Sequence, residues 1–94
     1  MLTIKSKTFM SKTKAILYHA PWCNGCAKMK PKFFETCKEL GVAFELVDVE
    51  EPDGVERSIK HQVRNVPTIV FMKNGKEVGR AKGNESYKFV KNYA

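Results

Sequence analysis

Ala-Pro-Trp-Cys-Asn-Gly-Cys, residues 20–26, places two thiols three positions apart at the junction between an apolar run and a helix-compatible segment. Residues 15–20 predict a buried strand, Pro21 interrupts it, and residues 26–40 favour a helix. A cysteine at a helix start faces unpaired backbone N–H groups and the positive end of the macrodipole, and both stabilise a thiolate. The pattern predicts a redox site in which Cys23 is the nucleophile. Cys26, one turn further along, is shielded but within disulfide reach.

Length and composition predict one α/β domain spanning residues 1–94. Hydrophobic residues make up 43% of the chain and charged residues 29%, as is typical of a soluble globular protein. Apolar runs stay well below the roughly 18 residues of a membrane span, so a membrane partner is not expected. Residues 1–14 are basic and lack the apolar stretch and small-residue cleavage site of a secretory signal, which favours a cytoplasmic location.

The charge is strongly basic, with 17 Lys and Arg against 10 Asp and Glu for a net charge of +7. The lysines are scattered along the chain and do not form one stripe with aromatic residues. Dispersed lysine is a weak signal for nucleic acid, so nucleic-acid binding is disfavoured. The excess charge can instead steer acidic partners toward the protein.

Three cysteines cannot all pair within the chain, so this is not a scaffold held together by disulfides. The remaining one, Cys37, is interpreted as a small core residue in preference to a regulatory thiol. Structural zinc usually takes four ligands from two close pairs. Cys23 and Cys26 have no second pair, and neither His61 nor Cys37 falls at a ligand-like spacing, so no metal site is expected.

The order of the predicted elements is that of a mixed sheet covered by helices. A strand, a helix and a strand of these lengths form a parallel crossover, and Asn74-Gly75 is a strong hairpin signal. The last helix is expected to start at a cap on Asn84 and to bury Phe89, Val90 and Tyr93 on one face. Strands are predicted at residues 2–5, 14–20, 42–49, 68–73 and 76–82, and helices at 24–40, 55–62 and 85–93.

From residue 15 to residue 94 the chain resembles the thioredoxin family. Each of several separate motifs matches a family feature in the right order, and the ordered set is far more specific than a Cys-x-x-Cys pair alone. The matching residues are Trp22-Cys23-Asn24-Gly25-Cys26, Pro31 within the following helix, Arg64-Asn65-Val66-Pro67-Thr68 around the family's cis proline, Phe71-Met72-Lys73-Asn74-Gly75 in the hairpin, and Gly83.

The resemblance implies a thioredoxin-like fold, with a mixed sheet of four to five strands flanked by helices on both faces. It implies a protein-disulfide reductase with Cys23 and Cys26 as the redox-active pair. Trp22, Val66, Pro67 and Gly83 would bind the target. The resemblance also implies that no cofactor is bound and that electrons come from a thioredoxin reductase with NADPH or from glutathione. The implied partners are disulfide-containing target proteins, and the protein is expected to be a monomer.

The sequence also departs from the family. A buried Asp and a neighbouring Lys usually assist proton movement at the second cysteine, and Leu17 and Leu46 occupy those positions. Cys26 would then lose its proton to water, to the departing thiolate of Cys23, or with help from His19. A histidine at that position is more often a hydrogen-bonded structural residue.

Two other functions stay open at this point. The short region before Cys23 favours a glutaredoxin-like enzyme that uses glutathione, whereas Trp22 and the sequence Gly83-Asn84-Glu85 oppose it. A redox-inert interaction module is less consistent with the chain, because both cysteines are present.

Overall fold

The computed structural model describes residues 13–94. Their elements, in chain order, are β1 (Thr13–His19), α1 (Asn24–Leu40), β2 (Ala43–Asp48), α2 (Pro52–Lys60), β3 (Thr68–Lys73), β4 (Lys76–Lys82) and a 3₁₀ helix (Ser86–Asn92). The strand predicted at Leu2 to Lys5 lies outside the described residues.

The described strands form one mixed sheet in the order β2-β1-β3-β4. β1 runs parallel to β2 and antiparallel to β3, and β3 pairs antiparallel with β4. The connection from β1 through α1 to β2 is the predicted parallel crossover, and the fold class predicted from the sequence is confirmed. The connection from β1 into α1 lies at the carboxyl edge of β1, and it carries the two cysteines.

One face of the sheet is covered by α1 and the 3₁₀ helix. Met29, Phe33 and Cys37 recur every four residues along α1 and are buried against Leu17 and Ile69. This spacing places the three side chains on one side of the helix, as expected for an amphipathic helix that packs on a sheet. The predicted core position of Cys37 agrees with its complete burial.

The other face carries a smaller cluster beneath α2. Ile16, Tyr18, Val47 and Val70 are buried there, with Val63 and other valines packed at the edge. α2 approaches the sheet through Gly54, whose Cα leaves no room for a side chain against the carbonyl oxygen of Asp48. Helices therefore cover both faces of the sheet.

Local signals explain the elements whose bounds were predicted exactly. Cys23 has extended backbone angles and caps α1, while Gly41 ends the helix in the left-handed region at φ 68°. Asn74 and Gly75 both have positive φ, as a two-residue hairpin turn requires.

Two predicted helices differ from the observed ones. α2 begins at Pro52, three residues before the prediction, because proline is favoured at the first position of a helix and does not end the preceding turn. The C-terminal segment is a 3₁₀ helix capped at Glu85, and Asn84 does not cap it. A 3₁₀ helix winds more tightly than an α-helix, which changes the side chains that face the core. Phe89, which was predicted to be buried, is 49% exposed, whereas Val90 is buried as predicted.

Glu45 on β2 lies between two cations, Lys14 of β1 and Arg57 of α2. Its Oε1 lies 2.9 Å from Lys14 Nζ and 3.1 Å from Arg57 Nη2, and Arg57 Nη1 bonds the other oxygen. The hydrogen bonds from Arg57, and then those from Lys14, lower the pKa of Glu45 from 4.5 to about 2.

Because the pKa of Glu45 is lower in the folded state, its contribution to stability is complete above pH 4.5 and is lost as the pH falls toward 2. Glu45→Gln is expected to lower the free energy of unfolding by about 1 kcal/mol at neutral pH, since the pair is partly exposed. Denaturant titrations at a series of pH values measure this difference, which should shrink as the pH falls. The exposed Glu56→Gln serves as the control, and a deficit independent of pH would contradict the prediction.

Candidate active site

The two cysteines lie where β1 gives way to α1. The chain turns through Pro21 and Trp22, and the turn is closed by the Cys23 N–H, which donates to the Ala20 carbonyl at 3.1 Å. Cys23 is the N-cap of α1, and its Sγ accepts the N–H of Cys26 at 3.1 Å. The first turn holds no acidic side chain. A negative charge on Cys23 Sγ would therefore be stabilised by an N–H donor and by the helix dipole.

Cys23 and Cys26 are joined by a disulfide bond, with their Cα atoms 5.2 Å apart. Cys23 is partly exposed, whereas Cys26 is only 1% exposed. An incoming disulfide can thus reach the first sulfur, while the second lies behind it. This arrangement agrees with the division of roles expected from the sequence.

Trp22 forms an exposed wall beside the disulfide. Its side chain is 64% exposed, and its indole N–H donates to Glu50 Oε2 at 2.8 Å, which fixes the ring. Trp22 and Val66 line one open groove of about 410 Å³, with Val63 and Arg64 further along it. The structure thus brings together two of the four residues expected to bind a target.

The other two expected residues meet at a backbone hydrogen bond. The Val66–Pro67 peptide bond is cis, and Pro67 is buried. Gly83, at φ 100°, donates its N–H to the Pro67 carbonyl at 3.0 Å. The loop after β4 is therefore joined directly to the segment that carries the proline.

Hydrogen bonds also hold the start of the segment that leads to Pro67, at residues 61 and 62. Arg80 of β4 donates from Nη2 to the His61 carbonyl at 2.8 Å and from Nη1 to the Gln62 carbonyl at 3.2 Å. Its guanidinium is oriented by a salt bridge to Glu77 at 2.7 Å. Sequence reasoning missed Arg80, because only the pairing of β3 with β4 brings it to the end of α2.

Asn84 was missed as a neighbour of the redox turn. Its exposed side chain lies against Gly25, and a Cβ at position 25 would collide with the Asn84 carboxamide. The residues are far apart in sequence, and only the absence of a side chain at Gly25 hinted that something lies close to it.

Leu17 and Leu46 are register partners on adjacent strands, so the two positions expected to lack the family's charged pair do lie side by side. His19 is buried near the end of β1, and its Nδ1 has no hydrogen-bond partner among the described residues. Burial, followed by the nearby Lys30 ammonium, lowers the pKa of His19, and Asp48 opposes this. The ring is therefore neutral at physiological pH, and the expected hydrogen-bonded role is not seen within residues 13–94.

Cys37 does not extend the redox site. It is fully buried, and this burial raises its pKa to about 12, so it stays a thiol in the folded protein. Within the described part of the chain, no group of three or more His, Cys, Asp or Glu side chains is placed to hold a metal ion. The same residues include no helix long and apolar enough to cross a membrane.

Comparison with known proteins gives consistent matches. Residues 3–94 match the family model described as Thioredoxin. The solved structure of Fasciola hepatica thioredoxin superposes with a TM-score of 0.78 at 31% identity, covering 98% of this chain and 86% of that one. The chain is 33% identical to putative thioredoxin H10 of Arabidopsis thaliana over 88% of its length, and 32% identical to human glutaredoxin-3 over 97%. It spans 53% and 26% of those two proteins respectively.

Proposed function

The chain belongs to the thioredoxin family, and we propose that it reduces disulfide bonds in target proteins, as a dithiol-disulfide oxidoreductase. The observation that carries the proposal is the pairing of a partly exposed Cys23, which accepts an N–H at the start of α1, with a buried Cys26 one turn later. A reactive thiolate needs access and stabilisation, and a resolving thiol needs proximity and shielding. Cys23 has the access and the stabilisation, and Cys26 has the proximity and the shielding.

The proposed reaction begins from the reduced protein. The Cys23 thiolate attacks one sulfur of the target disulfide, that S–S bond breaks, and the second target sulfur leaves as a thiolate that takes up a proton. Cys26 then loses its proton and attacks the Cys23 sulfur of the mixed disulfide. The target is released with both sulfurs reduced, and its two electrons come from the Cys23–Cys26 dithiol, which ends as the disulfide seen in the structure.

The target is proposed to cross the site as an extended segment. Trp22 and the groove it shares with Val66 offer apolar surface next to Cys23, while the Val66 backbone offers hydrogen bonds for strand addition. Pro67 and Gly83, joined by their hydrogen bond, are proposed to contact the same segment. Together they would hold the target disulfide above the exposed sulfur.

The proton of Cys26 has no charged acceptor at position 17 or 46. We propose that it passes to water or to the target sulfur, which leaves as a thiolate when Cys26 attacks. Cys23, expected from the sequence to be the departing thiolate, is bonded in the mixed disulfide at that step. His19 is neutral and has an unpartnered nitrogen within the described chain, which makes it a third acceptor for the same step.

The proposal includes no resident cofactor. Electrons would come from a thioredoxin reductase with NADPH, and the protein would act as a monomer in the cytoplasm, where thiols are kept reduced. The family resemblance supports the donor, and the need to keep Cys23 and Cys26 reduced supports the location.

A glutathione-dependent reductase is the second candidate, favoured by the similarity to human glutaredoxin-3. One experiment separates the two. The protein is supplied with insulin as the disulfide substrate and with NADPH, either with thioredoxin reductase or with glutathione and glutathione reductase. We expect NADPH oxidation with the first system and only background with the second. The reverse result would assign the protein to the glutathione system, and no turnover with either would refute the reductase function.

A further inference from the structure

A second, smaller depression adjoins the redox turn on the side of α1. It encloses about 150 Å³ between α1 and the 3₁₀ helix, and its lining includes Gly25, Lys28, Met29, Asn84 and Tyr87. Met29 and Tyr87 belong to the core cluster beneath α1, so this depression lies across the sheet from the Trp22 groove. Each of the two depressions includes a residue of the redox turn, Trp22 in one and Gly25 in the other.

The charge of this depression is positive. Lys28 is exposed and forms no ion pair with the described residues, and Lys32 stands one turn further along, its Nζ 5.8 Å from the Tyr87 ring. The lining also contains one acid, Glu85. Its Oε1 lies 2.9 Å from Lys88 Nζ, and the two side chains form a salt bridge. A negative group entering here would therefore meet an uncompensated ammonium.

The depression also presents an amide. The Asn84 carboxamide lies against Gly25, is exposed, and makes no hydrogen bond with residues 13–94. An amide N–H and an ammonium are both donors to a carboxylate, and charge-assisted bonds of this kind are the stronger ones. Lys28 and Asn84 thus place two suitable donors beside the turn that holds the disulfide.

The opposite groove differs in charge. Glu50 beside Trp22 accepts the indole N–H, whereas Asp48, Glu51 and Asp53 line a separate depression with Arg57. Arg64 is the charged residue that lines that groove. The Trp22 flank of the redox site therefore carries one acid, Glu50, and one cation, Arg64. The flank beside Gly25 carries Lys28 and Lys32, and its one acid, Glu85, is paired with Lys88.

We propose that the depression between Lys28 and Asn84, the Lys28–Asn84 subsite, binds an acidic side chain of the target protein close to its disulfide cysteine. This inference rests on the proposed reductase function and adds a substrate class to it. The acidic residue is recognised on the α1 side of the disulfide, because Lys28 there has no acidic partner among the described residues and Asn84 offers a second donor.

Disulfide peptides with a fluorescent readout test the subsite. The peptides are identical except for Glu, Gln or Lys beside one cysteine, placed before it in one set and after it in another. In one of the two sets we expect kcat/KM for the Glu peptide to exceed that for the Gln peptide by roughly two- to fivefold, with the Lys peptide slowest. High salt should reduce the difference, because both groups are exposed.

Variants locate the effect. Lys28→Gln and Asn84→Ala should each weaken the preference for Glu, whereas Lys38→Gln, an exposed lysine in the last turn of the same helix, should keep it. Equal rates for the three peptides in the unmodified protein, or a preference that survives Lys28→Gln, would overturn the subsite and leave the reductase function intact. A preference seen only with oxidised glutathione would also overturn it. Failure to reduce any of the peptides would instead refute the proposed function.

Discussion

Cys23→Ser is expected to abolish the reduction of insulin and of disulfide peptides. A serine hydroxyl stays protonated at neutral pH and cannot form the mixed disulfide, so the first step has no nucleophile. The fold should persist, because Cys23 is partly exposed and a serine is also a good helix N-cap. The measurement is the reductase-coupled rate of NADPH oxidation, which should fall to the rate without protein.

Cys26→Ser tests whether Cys26 resolves the mixed disulfide. Cys23 can still attack, but nothing resolves the product, so a mixed disulfide with the target should accumulate and be visible as a shifted band on a non-reducing gel. Cys37→Ala is the matched control, a third thiol removed from a position outside the redox site, and it should retain turnover while folded. Turnover by Cys23→Ser at the unmodified rate would refute the assignment of the nucleophile.

Gly54→Ala is expected to destabilise the protein by about 1 to 3 kcal/mol, the usual range for overpacking a buried position. In an isolated helix the same change would be stabilising by about 1 kcal/mol, since alanine is the better helix former. Here the added methyl would collide with the carbonyl oxygen of Asp48, a backbone atom with little freedom to move. α2 would have to shift away from the sheet.

Denaturant unfolding compares Gly54→Ala with Glu56→Ala, an exposed change in the same helix that should alter the free energy of unfolding by less than about 0.5 kcal/mol. Equal or greater stability of Gly54→Ala would show that α2 packs against β2 less closely than described. An equal loss in both variants would also contradict the prediction, because it would not be specific to the contact of Gly54 with Asp48.

The elements that could be predicted from the sequence are those specified by neighbouring residues. α1 begins at a capping cysteine and ends at a glycine with positive φ, and the β3–β4 hairpin contains Asn74-Gly75, so both were predicted to the residue. α2 and the C-terminal helix depend on context. Pro52 can close a turn or open a helix, and the winding of residues 86–92 follows from how they pack on α1 and the sheet.

In the active site, too, residues specified by the local sequence could be predicted, whereas those brought together by folding could not. Cys23, Cys26 and Trp22 are adjacent in sequence, and Pro67 and Gly83 were reached through the family resemblance. The contacts of Asn84, Lys28 and Arg80 could not be predicted, because those with Gly25, the small depression and the carbonyls of residues 61 and 62 exist only after the chain has folded. A spacing pattern carries no information about such long-range neighbours.

The segment from residue 61 to residue 67 is anchored at both ends, by the Arg80 guanidinium at the first two carbonyls and by the Gly83 N–H at the last. A segment that is already ordered loses little conformational entropy when a target binds to it. A few main-chain bonds can then suffice to hold the proposed target segment. Loosening either anchor should weaken capture of every substrate alike, whatever its side chains.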